Sequence, residues 1–138
     1  MYKVYKSDRK LACITLDYEK DYGDRINEFN ILDQNVELDG LVSLFKKLNI
    51  PLSLFVTTNI LEDYPSSFEL AAALGADFHS HSHTHNTLNP DANFEINESK
   101  LTFEKYFGYI PLGYRAPQGV LGPNDLELLT KYEYKFSS

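Results

Sequence analysis

Short apolar runs alternate with amphipathic segments along most of this 138-residue chain, and this alternation constrains the fold more than any other feature. The runs contain β-branched residues and are too short for helices, whereas the segments between them repeat apolar residues at helical spacing. We predict strands over 11–16, 52–57, 76–78, 110–114 and 134–136, and helices over 36–48, 68–74, 93–107 and 123–129. This order predicts an α/β fold of β/α units on a parallel sheet or barrel.

Several helix ends are predicted from residues with known end preferences. Asn35 is placed to cap the first helix, and Ser66 or Ser67 to cap the second. Gly75 and Gly108 follow the second and third helices, where a glycine readily adopts the left-handed backbone that ends a helix. The connections between elements are therefore expected to be short.

Charge and composition exclude several classes of function. A formal net charge of −7 argues against a nucleic-acid partner, which needs a basic face. The chain has no apolar run long enough to cross a membrane. Its N-terminus is polar and contains no signal sequence, so we expect a cytoplasmic protein with no membrane partner. The single cysteine, Cys13, cannot form an internal disulfide and is expected to be a buried thiol.

All four histidines of the chain lie close together, at positions 79, 81, 83 and 85. The four-residue separation of His81 and His85 lets both imidazoles face one point from a helical turn or a curled loop, which is typical of a metal site. In an extended segment, all four would instead share one strand face. His79 and His83 are weaker candidates, expected to support the ligands or to lie at the surface.

Two further motifs fall at predicted strand ends. Asp17 and Glu19 are separated by one residue, so a regular strand would direct both carboxylates to one side, one as a metal ligand and the other as a general base. Arg115 precedes Ala116 and Pro117, and arginine is a rigid partner for a carboxylate. In parallel β/α folds such strand ends converge on one edge. The parts together are those of a metal-assisted hydrolase.

In combination these motifs resemble those of the NodB-homology polysaccharide deacetylases. The family's Thr-Phe-Asp-Asp motif corresponds to 15–18, which reads TLDY, and its His-Ser/Thr-x-x-His motif is matched in full by 81–85, HSHTH. Its Arg-x-Pro-Tyr/Phe motif corresponds to 115–118, RAPQ, where glutamine replaces the aromatic residue. The resemblance spans about residues 10–138.

The resemblance implies a deformed (β/α) barrel and a role for each matched residue. Asp17 would be the general base, and Arg115 would orient and electrostatically tune it. His81 and His85 would bind a divalent metal, usually zinc, which polarises the acetyl carbonyl. Tyr18 occupies the place of the family's metal-binding aspartate, so Glu19 is the expected replacement ligand. If Glu19 does not reach the metal, Asp17 is the carboxylate ligand instead and the base is lost.

The family's later motifs, including a Leu-x-His that supplies the general acid, would lie past Ser138, and no histidine follows His85. We therefore expect residues 1–138 to form a single deacetylase-like catalytic domain that lacks its C-terminal part, an incomplete barrel of about five β/α units. The open sheet edges of such a barrel invite association, which leaves a homo-oligomer open.

The expected function is metal-dependent removal of N-acetyl groups from an amino sugar or polysaccharide, with a cytoplasmic sugar precursor as substrate. Two alternatives stay open. One is an allantoinase-like amidohydrolase of the same fold, in which the metal is dispensable. The other is a non-catalytic module that binds sugar or metal.

Overall fold

A computed structural model describes residues 12–20, 36–88 and 90–138 of the chain. The strands are β1 (Ile14–Tyr18), β2 (Leu52–Val56), β3 (Asp77–Ser80), β4 (Gly113–Tyr114) and β5 (Phe136–Ser137). The α-helices are α1 (Val36–Lys47), α2 (Pro65–Ala73), α3 (Ala92–Phe107) and α4 (Asp125–Lys131). Short 3₁₀ turns follow β2 at Thr58–Ile60 and β4 at Pro117–Gly119.

The five strands form one parallel sheet whose spatial order is the order of the chain, β1-β2-β3-β4-β5. Buried side chains of α1, α2 and α3 pack with β1 to β3, and Leu129 of α4 packs with Tyr114 of β4, all on the same face of the sheet. Sequential order with helices on one face is the arrangement of a (β/α) barrel, not of a doubly wound sheet, which carries helices on both faces. The predicted α/β fold is confirmed, as an open arc of five strands and four α-helices.

The two faces of the sheet follow from strand alternation and from the register. Tyr18 lies opposite Val56, and Leu54 opposite Phe78, and these side chains point into the helix layer. Phe68 of α2 and Phe103 of α3 complete this core and are fully buried. Because successive residues of a strand alternate, the intervening side chains must point to the opposite face, here called the site face.

Aromatic rings fill the site face below the strand ends. Phe55 of β2 lies opposite His79 of β3, with ring centroids 5.1 Å apart, and Phe136 of β5 contacts the His79 ring at 5.0 Å. Gly113 leaves the space that Phe136 occupies, because a β-carbon at this position would come within 2.4 Å of the phenyl ring. A side chain at position 113 would therefore displace Phe136 from His79.

Several predicted element bounds are wrong. β1 begins at Ile14 and includes Asp17 and Tyr18, because its pairing with β2 continues to Tyr18 opposite Val56. β4 is much shorter than 110–114, and Pro111, which has no N–H to donate, precedes it. The smaller differences are at β2, which ends at Val56, at β3, which continues to Ser80, at β5, which is Phe136–Ser137, and at α4, which begins at Asp125.

Helix ends agree with the sequence at some positions only. Pro65 begins α2, where its fixed φ suits the first helical position, so neither Ser66 nor Ser67 caps this helix. Gly75 and Gly108 have the expected positive φ, of 89° and 77°. The Asn35 cap lies outside the described residues.

The prediction that Cys13 is a buried thiol is wrong. Cys13 is exposed, not buried, because it precedes β1, and β1 is at the edge of the described sheet. Within the described ranges, no helix has both the length and the apolar character needed to cross a membrane.

Candidate metal centre and active site

The three motifs lie together at the carboxyl edge of the sheet. Asp17 and Glu19 are at the end of β1, His81 directly follows β3, and Arg115 directly follows β4. Backbone hydrogen bonds hold these ends in place: the His81 N–H donates to the Val56 carbonyl, and the Arg115 N–H donates to the Ser80 carbonyl. Residues almost a hundred positions apart in the sequence therefore share one site.

Alternation along β1 places the two carboxylates on the same side. The side chain of Tyr18 points into the helix layer and is 6% exposed, with its ring 5.2 Å from that of Phe68. Asp17 and Glu19, on either side of it, point to the site. Tyr18 is thus a core residue, and the carboxylate that reaches the histidines from the next site-facing position is Glu19.

Glu19, His81 and His85 form a cluster that could hold one metal ion. One atom from each, a carboxylate oxygen and two imidazole nitrogens, all lie within 4.8 Å of one another. Glu19 Oε2 is 3.0 Å from His85 Nε2 and 3.8 Å from His81 Nε2. Glu19 Oε2 is buried, and it accepts no hydrogen bond from the described residues. Two imidazoles and a carboxylate are a common donor set for catalytic zinc, so the residues fit the metal that the sequence predicts.

The imidazole of His81 could bind a cation through Nε2. Its Nδ1 is 2.9 Å from the carbonyl oxygen of Arg115, which can only accept, so the ring proton sits on Nδ1 and the lone pair on Nε2. Burial lowers the pKa of His81, and the carbonyl and the nearby carboxylates oppose this only in part. The neutral imidazole, which is the form that binds metals, is therefore favoured.

Arg115 connects the site across the arc of strands. Its guanidinium donates to Asp17 Oδ1, to Thr15 Oγ1 at 2.9 Å, and to Ser138 Oγ at 2.8 and 3.2 Å. It also lies over the ring of Phe55, 3.9 Å from the centroid. Because Asp17 Oδ1 accepts from Arg115, Oδ2 is the oxygen that faces the cluster, 3.9 Å from His81 Nε2.

The segment 81–85 forms a curled loop, so the four histidines do not share a strand face. Ser82 and His85 both have positive φ, of 66° and 61°, which turns His85 back toward His81. Their ring centroids are 4.9 Å apart. His79 lies lower on the site face, with Nε2 3.2 Å from Asp77, and burial lowers its pKa. His83 points away and its Nδ1 is hydrogen-bonded to Thr58 Oγ1 at 2.9 Å.

A cavity of about 300 Å³ lies beside this cluster, between the loops that follow β3 and β4. Ser82, Asn86 and Gln118 are among its polar lining residues, and Tyr114 forms part of its apolar wall. None of the three residues of the cluster, Glu19, His81 and His85, lines it. It is therefore a neighbour of the site and not the site itself.

Sequence reasoning missed several residues that shape the site. Thr15, Phe55 and Ser138 bind or stack on Arg115, and only the folded arc brings them there. Glu95 of α3 binds the histidine loop and is buried. Glu95 could have been recognised in the sequence as a carboxylate eight residues before Phe103, on the stripe of α3 whose side chains are buried.

Comparison with known proteins gives a family match over nearly the whole chain. The family model described as polysaccharide deacetylase matches residues 6–137. Among curated proteins, none matches the chain significantly.

Solved structures of similar fold include three bacterial proteins. The peptidoglycan deacetylase PdaC from Bacillus subtilis is 20% identical, with a TM-score of 0.69 over 95% of this chain and 59% of its own. A family 4 carbohydrate esterase from Streptomyces lividans is 17% identical, with a TM-score of 0.68 over 90% of this chain and 59% of its own. A CE4 family pseudoenzyme from Bacillus anthracis is 13% identical, with a TM-score of 0.73 over 94% and 43%. The chain thus spans about half the length of these structures.

Proposed function

Because this chain belongs to the polysaccharide deacetylase family, we propose that it supplies the metal ligands and the general base of a hydrolase that removes N-acetyl groups from an amino sugar or polysaccharide. The proposal rests on one observation, that five polar side chains lie together at one edge of the sheet. They are those of Asp17, Glu19, His81, His85 and Arg115. Glu19 Oε2 is buried and accepts no hydrogen bond from the described residues. Such an atom would be unfavourable in a cluster without function, because buried polar atoms are normally hydrogen-bonded.

In this proposal Glu19, His81 and His85 hold a divalent metal ion, with zinc as the expected metal. When bound, such an ion supplies Lewis-acid polarisation of the acetyl carbonyl and lowers the pKa of water. The hydrogen bond from His81 Nδ1 to the Arg115 carbonyl fixes the ring so that Nε2 would be available as a ligand.

Asp17 acts as the general base in this proposal. Its Oδ2 faces the cluster and takes a proton from the attacking water, while Oδ1 is held by the Arg115 guanidinium. The side chain of Arg115 is itself fixed by Thr15, Ser138 and the ring of Phe55, so it keeps the carboxylate at one angle. Because no histidine follows His85 in the sequence, none is available after it to protonate the departing amine.

Acetate release from an N-acetylated chitooligosaccharide tests this proposal. The purified protein is stripped with a chelator, reloaded with zinc or cobalt, and compared with Asp17→Asn, which keeps the shape of the side chain and removes the base. Release that needs metal and falls by at least about a hundredfold in Asp17→Asn supports the proposal. Turnover of an amide that survives chelation would favour an allantoinase-like amidohydrolase, and sugar binding without turnover a non-catalytic module. Either result contradicts the proposed deacetylase.

A further inference from the structure

The loop that carries His81 and His85 is held in a conformation that it would not adopt alone. Two residues without the freedom of glycine, Ser82 and His85, have positive φ. Such conformations are strained in residues other than glycine and persist only where the surroundings enforce them. On one side the backbone N–H groups of Thr58 and Asn59 donate to the carbonyls of Ser82 and His83. Within the loop, Ser82 Oγ accepts from the His85 N–H at 3.0 Å.

Glu95 in the first turn of α3 holds the loop from the other side. Its Oε2 accepts from the N–H of His83 at 2.9 Å and from the N–H of Thr84 at 2.8 Å, and its Oε1 accepts from the Thr84 hydroxyl. Glu95 is only 6% exposed. The carboxylate therefore satisfies two backbone donors between the two histidines of the cluster, at the turn where the loop reverses.

We propose that Glu95 is a positioning residue that sets the separation of the His81 and His85 imidazoles, and thereby the metal affinity of the cluster. This inference rests on the metal site of the proposed function and adds a residue that does not touch the ion. The N-terminal turn of α3 suits a buried carboxylate, because the helix dipole stabilises negative charge there. Without Glu95, the two N–H groups would turn toward water and the strained residues could relax.

Two substitutions of Glu95 separate the role of its hydrogen bonds from that of its charge. Glutamine at position 95 can still accept both N–H groups at its carbonyl oxygen and can donate to the Thr84 hydroxyl. Alanine at this position can form none of these hydrogen bonds. Glu95→Gln should therefore retain the loop, whereas Glu95→Ala should release it. Glu104 lies on the same helix with an exposed side chain, so Glu104→Ala is the matched control for loss of a glutamate from α3.

The experiment has two readouts on wild type and these three variants. Cobalt titration followed by visible absorption gives the affinity and the coordination spectrum of the cluster. Amide hydrogen exchange of the metal-free protein gives the protection of the His83 and Thr84 N–H groups. We expect Glu95→Ala to bind cobalt about 10–100-fold more weakly and to lose protection at these two amides. Glu95→Gln and Glu104→Ala should resemble wild type.

Cobalt affinity and spectrum in Glu95→Ala equal to those of Glu104→Ala would overturn the proposal. Unchanged exchange at both amides would also overturn it, and this readout needs no metal. If Glu95→Ala fails to fold, Thr84→Val serves instead, because it removes one of the three hydrogen bonds, and unchanged cobalt affinity there would contradict the proposal. Absence of acetate release affects neither readout, so failure of the deacetylase function would be recognised separately.

Discussion

Arg115 is the residue whose replacement tests the geometry of the site face most sharply. It follows β4, yet its guanidinium reaches Thr15 and Asp17 on β1 and Ser138 after β5, and it lies over Phe55 on β2. One side chain thus joins both edges and the middle of the arc. Its side chain is 17% exposed, whereas that of Asp17 is 39% exposed.

Arg115→Lys keeps the positive charge and removes the planar set of donors. A lysine ammonium could replace one of the four hydrogen bonds from the guanidinium, but it cannot reach all three partners. A hydrogen bond contributes about 0.5–1.5 kcal/mol, and partners exposed to water place these bonds at the low end of that range. We therefore expect the free energy of unfolding to fall by about 1–2 kcal/mol.

Urea unfolding at pH 7 measures this loss as a lower midpoint at an unchanged slope. Thr15→Val removes one acceptor of the guanidinium and provides the second arm of a double-mutant cycle. Its cost should be smaller in the Arg115→Lys background than in wild type, because the hydrogen bond has already been lost. If Arg115→Lys is as stable as wild type, or if the two substitutions are strictly additive, the side chain does not tie the arc as described.

Three further substitutions test the packing and the buried polar groups. Phe68→Ala removes a fully buried ring that contacts those of Tyr18 and Phe78, so stability should fall by about 3–5 kcal/mol, against less than about 0.5 kcal/mol for Leu88→Ala, which is 88% exposed. Equal costs in urea unfolding would contradict the assigned core. Burial lowers the pKa of His79, so the unfolded chain takes up its proton first and stability should fall as the pH drops below about 6.5. His79→Leu should make this loss shallower between pH 7 and pH 5, and an unchanged slope would show that His79 is not buried as described. Burial raises the pKa of Tyr134 to about 12, so its contribution to stability is present below pH 10 and is lost as the pH rises toward 12. Tyr134→Phe should reduce the alkaline loss of stability, and a curve that matches wild type would refute this assignment.

The sequence predicted those parts of the site that depend on local geometry. Strand alternation alone predicts that Asp17 and Glu19 point to one side, and the structure has this arrangement. The convergence of Asp17, His81 and Arg115 followed from the rule that strand ends of a parallel sheet share an edge. Both inferences need only the pattern of the chain.

What the sequence did not predict depends on contacts between distant segments. Glu95 binds a loop twelve positions earlier, and Ser138 binds Arg115 across the arc. Neither contact can be recognised from a local pattern, because the buried stripe of α3 indicates that Glu95 is buried but not what it binds. The bounds of β1 and β4 were wrong for the same reason, because neighbouring strands decide where pairing stops. The positive φ values that curl 81–85 are likewise enforced by surrounding hydrogen bonds and not by glycine.

Metal content measured by elemental mass spectrometry shows whether Glu19, His81 and His85 hold a metal ion. Wild type, His81→Ala/His85→Ala and Tyr18→Phe are incubated with zinc, freed of excess metal by gel filtration and shown to be folded by circular dichroism. We expect about one zinc per chain in wild type and in Tyr18→Phe, because the tyrosine faces the helices, and none in the double variant. A folded wild-type chain that retains no zinc, or a double variant that retains as much as wild type, would contradict the assignment of this cluster as the metal centre.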